Sequence, residues 1–202
     1  MKRMLTHCCL AWGVLATSFA FAHVRIYEAF MDGPSEFPPN ASPGTGFVRV
    51  TVDLDLFTMR VEANFTGLVG TTTAAHIHGP IPDAPANPLA SVISQTPSYP
   101  GFPIGVTSGS MDETFNMLLT TSYNGNQTFV NDNGGTAGAF GAFVNGLDAG
   151  KMYFNIHSTT FPGGEIRGFP TFVPEPSSIA LIGLATCGVV ARRMVRRARV
   201  VA

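Results

Sequence analysis

Phe47-Val48-Arg49-Val50-Thr51-Val52-Asp53-Leu54, then Asp55-Leu56-Phe57-Thr58, then Met59-Arg60-Val61-Glu62-Ala63-Asn64-Phe65, is the stretch on which the fold turns. In the first segment Val48, Val50, Val52 and Leu54 alternate with Arg49, Thr51 and Asp53; in the last, Met59, Val61, Ala63 and Phe65 alternate with Arg60, Glu62 and Asn64. Side chains of a strand point alternately to its two faces, so this period of two gives each segment one apolar and one wet face. Asp55 to Thr58 can make the turn between them. The pair is therefore expected to form an antiparallel hairpin buried on one side.

Outward from the hairpin, strands are expected at Val24 to Met31, Ala74 to His78, Ser91 to Ser94, Met111 to Leu118, Met152 to Ser158 and Gly164 to Phe172. Gly- and Pro-rich loops separate them, notably Asp32 to Gly46, Gly79 to Pro88 and Pro97 to Gly109. Many short strands with such punctuation predict an all-β fold, a single antiparallel β-sandwich or Greek-key barrel. Gly138 to Leu147 is the one place with room for a short helix, and its three glycines count against it. Gly125 to Gly135, rich in Asn and Gly, reads as a mobile surface loop.

The two ends read as targeting segments. Lys2 and Arg3 precede the apolar run Leu10 to Phe21, and Ala20-Phe21-Ala22 is an A-x-A cleavage site, so residues 1–22 are expected to be a signal peptide. At the other end Val173-Pro174-Glu175-Pro176-Ser177-Ser178 leads into an apolar run ending at Ala191, followed by Arg192, Arg193, Arg196, Arg197 and Arg199. As a helix the run from Ser177 to Ala191 rises ~1.5 Å per residue and reaches only ~22 Å, short of a ~30 Å hydrocarbon core. A processing signal suits that length better than a permanent anchor. The prolines forbid helix before Ser177, and the arginines favour the cytoplasmic side, which puts the body of the protein outside.

These C-terminal residues resemble the PEP-CTERM sorting signal of Gram-negative bacteria. The resemblance implies a sorting protease or transpeptidase of the exosortase type, with residues 173–202 acting as a transient membrane anchor through a short hydrophobic helix. It also implies export to the cell envelope, cell surface or extracellular space, with envelope or extracellular polysaccharide as a partner. What remains is one domain, residues 23–172, long enough for a core of its own.

That domain contains no cysteine, since Cys8, Cys9 and Cys187 all lie in the terminal segments, so its stability rests on packing or on a metal. Its five cations against twelve carboxylates leave a formal charge of −7, which argues against nucleic acid as a partner. There is no Gly-x-Ser-x-Gly elbow and no Walker motif. A non-enzymatic role is expected, with a metalloenzyme left open.

Two motifs carry the remaining specificity: Thr73-Ala74-Ala75-His76-Ile77-His78-Gly79-Pro80, and Lys151-Met152-Tyr153-Phe154-Asn155-Ile156-His157-Ser158 followed by Pro162-Gly163-Gly164-Glu165-Ile166-Arg167-Gly168. Together they resemble the chordin-type (CHRD) domain, whose closing pattern is a Tyr-x-Asn-x-His strand, a Pro-Gly-Gly turn and Glu-Ile-Arg-Gly. The resemblance implies a surface-associated binding or structural module.

His76 and His78, two apart on a strand, share a face, and His157 on another strand could join them. Three imidazoles with a carboxylate such as Glu165 nearby would suit Zn or Cu. A polar network, with ring N–H groups on loop carbonyls and Glu165 and Arg167 paired locally, is the other reading. Separately, cleavage after Ala22 would free the α-amine of His23, and amine plus imidazole make a copper chelate from which a copper enzyme could be built.

Overall fold

In the computed structural model, residues 23–82, 89–123 and 125–174 are described. The signal peptide with Ala20 and Ala22, and Glu175, Pro176, the apolar run and the arginines that follow, lie outside the described residues. Val173 and Pro174 lie within them.

The expected hairpin is present as β2 (Thr45–Asp53) and β3 (Thr58–Thr66), in unbroken register from Thr45 opposite Thr66 to Asp53 opposite Thr58. Val48, Val50 and Val52 are buried with Met59, Val61, Ala63 and Phe65, while Arg49, Arg60 and Asn64 are exposed. On the wet face Arg60 grips Asp112 with two hydrogen bonds of 2.7 and 2.6 Å, and Arg49 grips Glu28.

To this hairpin are added β1 (Val24–Asp32) beside β2 and β5 (Gly109–Asn116) beside β3. Beyond β1 come β7 (Ile166–Gly168), β6 (Tyr153–Ser158) and β4 (Thr72–His78), and β8 (Thr171–Val173) also pairs with β1. The chain is thus all-β in class. Among the described residues eight strands form one antiparallel sheet, in the order β4-β6-β7-β1-β2-β3-β5 with β8 at the side, curled into a half-barrel.

The curl brings the two ends of the sheet towards each other. Tyr99, in the connection from β4 to β5, bridges them by stacking on Phe154 of β6 at 6.0 Å and by a tilted contact with Phe115 of β5 at 5.1 Å.

The segment Ser91 to Ser94 departs from expectation. It forms a single bridge, Val92 opposite His78, and no strand. Serine hydroxyls take over the ladder: the N–H of Ile77 donates to Ser94 Oγ and that of Ala75 to Ser98 Oγ. Side-chain oxygens thereby satisfy an edge that would otherwise present free donors. The strand expected from Gly164 to Phe172 is likewise split in two, because Pro170 has no N–H for the ladder.

Among the described residues two α-helices are present, one where the glycines counted against a helix and one where the chain read as loop. Thr136–Asp148 is a 13-residue helix, α2, despite Gly138, Gly141 and Gly146. Ala139, Phe140, Phe143, Val144 and Leu147 recur at helical spacing and are buried, and this packing outweighs the weak propensity. A Cβ at Gly146 would meet the end of the buried Met152 side chain, which would have to move aside. Gln127–Asp132 is a short helix, α1, capped by Asn126, whose side chain accepts from the Phe129 N–H at 2.9 Å. A strong cap turns an Asn-rich stretch into a helix start.

Candidate metal centre

On β4 and β6 the odd–even alternation splits the sheet into two different surfaces. Ala75 and Ile77 of β4 face the core with Ile156 and Phe154 of β6. The alternate positions, His76 and His78 of β4 with Tyr153, Asn155 and His157 of β6, line the other face, and Arg167 of β7 stands opposite Asn155. This second face is also largely buried: Asn155 is 2 % exposed, Arg167 4 % and His76 8 %.

The three histidines sit together. His76 is 5.1 Å from His157 and 5.6 Å from His78 between ring centroids, and His78 is 6.1 Å from His157. One side of each ring is held by a loop carbonyl: His76 Nε2 on Pro97 O at 2.8 Å, His78 Nδ1 on Ala90 O at 2.9 Å, His157 Nδ1 on Pro162 O at 2.9 Å. A carbonyl can only accept, so each of these nitrogens carries the proton. The opposite nitrogens, His76 Nδ1, His78 Nε2 and His157 Nε2, are left as bare lone pairs. All three are buried with no hydrogen-bond partner.

Electrostatics keeps them bare. Burial pushes His76 down to about 4, against the pull of its bond to Pro97 and aided by the neighbouring His157 and His78. His78 and His157 are lowered by the same cause. One ring nitrogen from each of the three lies within 4.8 Å of the other two. Bonds of ~2.0–2.1 Å to a shared tetrahedral ion require nitrogens roughly 3.3–3.4 Å apart, so side-chain movements of up to about 1.5 Å close the triangle. Backbone carbonyls fixing the far side of each imidazole are the outer support that metal-ligating histidines ordinarily have.

Glu165, considered above as a carboxylate for this site, is committed elsewhere. It accepts from Ser42 Oγ at 2.6 Å and from the N–H groups of Val69 at 2.5 Å and Gly70 at 3.2 Å, tying two loops together. Burial raises its pKa, but the hydrogen bonds from Ser158, Ser42, Val69 and Gly70 outweigh that and leave it lowered.

The carboxylate that does reach this face is Glu36, from the loop between β1 and β2, and nothing in the sequence pattern singled it out. It is 5 % exposed, with Oε2 at 3.8 Å from Arg167 Nε. Burial raises its pKa to about 7 against the opposing pull of Arg167. Arg167 in turn donates from Nε to Ser35 O and lies over the rings of Tyr153 and Phe169 at 4.9 and 5.2 Å.

His23 stands apart from this cluster at the start of β1, where its backbone N–H and its Nδ1 both meet the Asp55 carboxylate, at 3.3 and 3.2 Å.

The family model of the CHRD domain matches residues 27–169, which span the whole cluster, and that of the PEP-CTERM protein-sorting motif matches residues 172–197. No curated protein and no solved structure matches the chain.

Proposed function

The chain belongs to the CHRD domain family and carries a PEP-CTERM sorting motif, and from that premise we propose that it is an exported, non-catalytic metal-binding module kept at the cell envelope. The motif accounts for the address: export to the envelope or surface, with processing by an exosortase-type enzyme. Retention in the envelope or extracellular polysaccharide of a Gram-negative-type bacterium extends that reading, as does a tail that anchors the chain only until it is cut.

The observation that carries the metal reading is a set of three buried ring nitrogens left without hydrogen-bond partners, on histidines that each bring a ring nitrogen within 4.8 Å of the others. A purely structural network would satisfy them, because a buried acceptor left unpaired costs about 1–3 kcal/mol. A shared cation satisfies all three at once. Imidazole-only donors suit Zn(II) or copper over Mg(II) or Ca(II), which prefer oxygen.

The test is metal analysis of the protein recovered from its own cell envelope without a histidine tag. One equivalent of Zn or Cu, lost in a His76→Ala, His78→Ala, His157→Ala triple variant, is the expected result. Absence of stoichiometric metal, with a melting temperature indifferent to added Zn(II) and Cu(II), would overturn it.

A further inference from the structure

Next to the three histidines a fourth polar atom is stranded. Asn155 lies on β6 two residues from His157 on the same face, directly opposite His76 on β4. Its Oδ1 is buried without a hydrogen-bond partner.

The orientation of this amide follows from its surroundings. Gly164 adopts φ +135°, and a Cβ placed there would lie 2.6 Å from Glu36 Oε1 and 2.8 Å from Asn155 Nδ2, so carboxylate and amide NH2 crowd the same small space. The NH2 is a donor and belongs on the carboxylate side. That leaves Oδ1 on the histidine side, where the Asn155 side chain lies close enough to His78 to pull its pKa upward against burial. His78 Nε2 and Asn155 Oδ1 are then two acceptors in one buried pocket with no proton to share. Two acceptors in that relation repel unless a cation stands between them.

We infer that Asn155 Oδ1 is the fourth donor to the metal held by His76, His78 and His157, and that Glu36 is a positioning residue that fixes the Asn155 amide in that orientation. The inference rests on the metal reading above. Three nitrogens and one oxygen from the protein make a closed four-coordinate sphere, which holds an ion and leaves no position for substrate. Zn(II) fits such a sphere, and Co(II) reports it spectroscopically.

The experiment compares the full exported domain with Asn155→Ala, Asn155→Asp and Glu36→Gln, measuring Zn(II) affinity by chelator competition and the visible d–d spectrum of the Co(II) forms. Asn155→Ala is expected to bind one Zn(II) at least tenfold more weakly, with a changed Co(II) spectrum. Asn155→Asp, which keeps an oxygen donor, is expected to restore the affinity. Glu36→Gln is expected to weaken binding and shift the Co(II) spectrum in the same direction as Asn155→Ala.

Wild-type affinity and an unaltered Co(II) spectrum in Asn155→Ala would overturn the role of Asn155 while leaving the three-histidine site standing. A wild-type spectrum in Glu36→Gln would overturn the positioning role. Should Asn155→Ala fail to fold, Asn155→Asp decides: it is expected to hold Zn(II) at least as tightly as wild type with an altered Co(II) spectrum, and an unaltered spectrum would overturn the inference. A wild-type protein that takes up no metal overturns the reading beneath it.

Discussion

The ring of His76 meets that of His157 at 5.1 Å and 67°, although the strand register sets Ala74, not His76, opposite His157. The contact is diagonal across β4 and β6, a spacing that long and aromatic side chains can bridge. Two imidazolium ions in that relation, buried, would repel, and both groups are in fact held below their ordinary pKa.

Stability of the metal-free protein should therefore depend on pH in a defined direction. A histidine whose folded pKa lies below 6.5 binds fewer protons folded than unfolded, so its contribution is present above that value and is lost as pH falls. For His76 the loss runs from 6.5 down to about 4. Glu36, raised to about 7, opposes it, because between 4.5 and 7 the folded state holds the extra proton. With three histidines against one carboxyl, the urea midpoint should fall on acidification from pH 6.5 to 4, and fall more steeply in Glu36→Gln. A midpoint that is flat or rises would show the histidines to be charged in the fold.

Single substitutions separate ligand loss from fold loss. His157→Ala removes one of three nitrogens and should cost tenfold or more in Zn(II) affinity. Its metal-free form should lose about 1 kcal/mol with the Nδ1 bond to Pro162 O, so the Zn(II) effect on each protein is read against its own metal-free melt. Ligand linkage then predicts that wild type at one hundred times its Kd gains about 2.7 kcal/mol from Zn(II), and the variant at the same concentration much less. Equal stabilisation of both, followed by thermal melts, would remove His157 from the site.

Much of this was legible in the chain. Alternation at Val48 to Val52 and Met59 to Phe65 placed the central hairpin residue by residue, because a one-sided sheet writes its faces into a period of two. The spacing of His76 and His78 gave a shared face, and His157 joins them through the pairing of β4 with β6. Glu36 was invisible, since a loop carboxylate reaches a site through tertiary folding that no local period records. Glu165 misled for the related reason that its neighbour Arg167, two residues on, does share the histidine face, while Glu165 itself is drawn off by Ser42, Val69 and Gly70. Helix α2 was obscured by its glycines, whose low propensity is overridden by burial of Phe140, Phe143 and Leu147.

Gly164 carries a prediction of its own. At φ +135° an L-residue is strained, and its Cβ would press on Glu36 Oε1 and Asn155 Nδ2. Gly164→Ala should cost about 1–3 kcal/mol in unfolding free energy from the backbone alone. It should also weaken Zn(II) binding, because the displaced pair is the one that sets the amide. A variant as stable as wild type in urea would mean that the turn relaxes without moving either side chain.

The sorting motif begins against the fold itself, and that fixes where a cut is harmless. Strand β8 pairs Thr171, Phe172 and Val173 with Glu28, Tyr27 and Ile26, and the Phe172 ring stands edge-on to the fully buried Tyr27 at 5.8 Å. Tyr27 in turn donates from its hydroxyl to Asp148 at the end of α2, at 2.7 Å. A chain ended after Pro174 keeps all of these contacts and should unfold at the same urea concentration as one ended further along. A chain ended after Pro170 loses the strand and the aromatic pair, the latter worth about 0.5–1.5 kcal/mol, and should unfold at a lower one. Identical midpoints for the two truncations would mean that β8 contributes nothing to the domain and that processing could fall on either side of it.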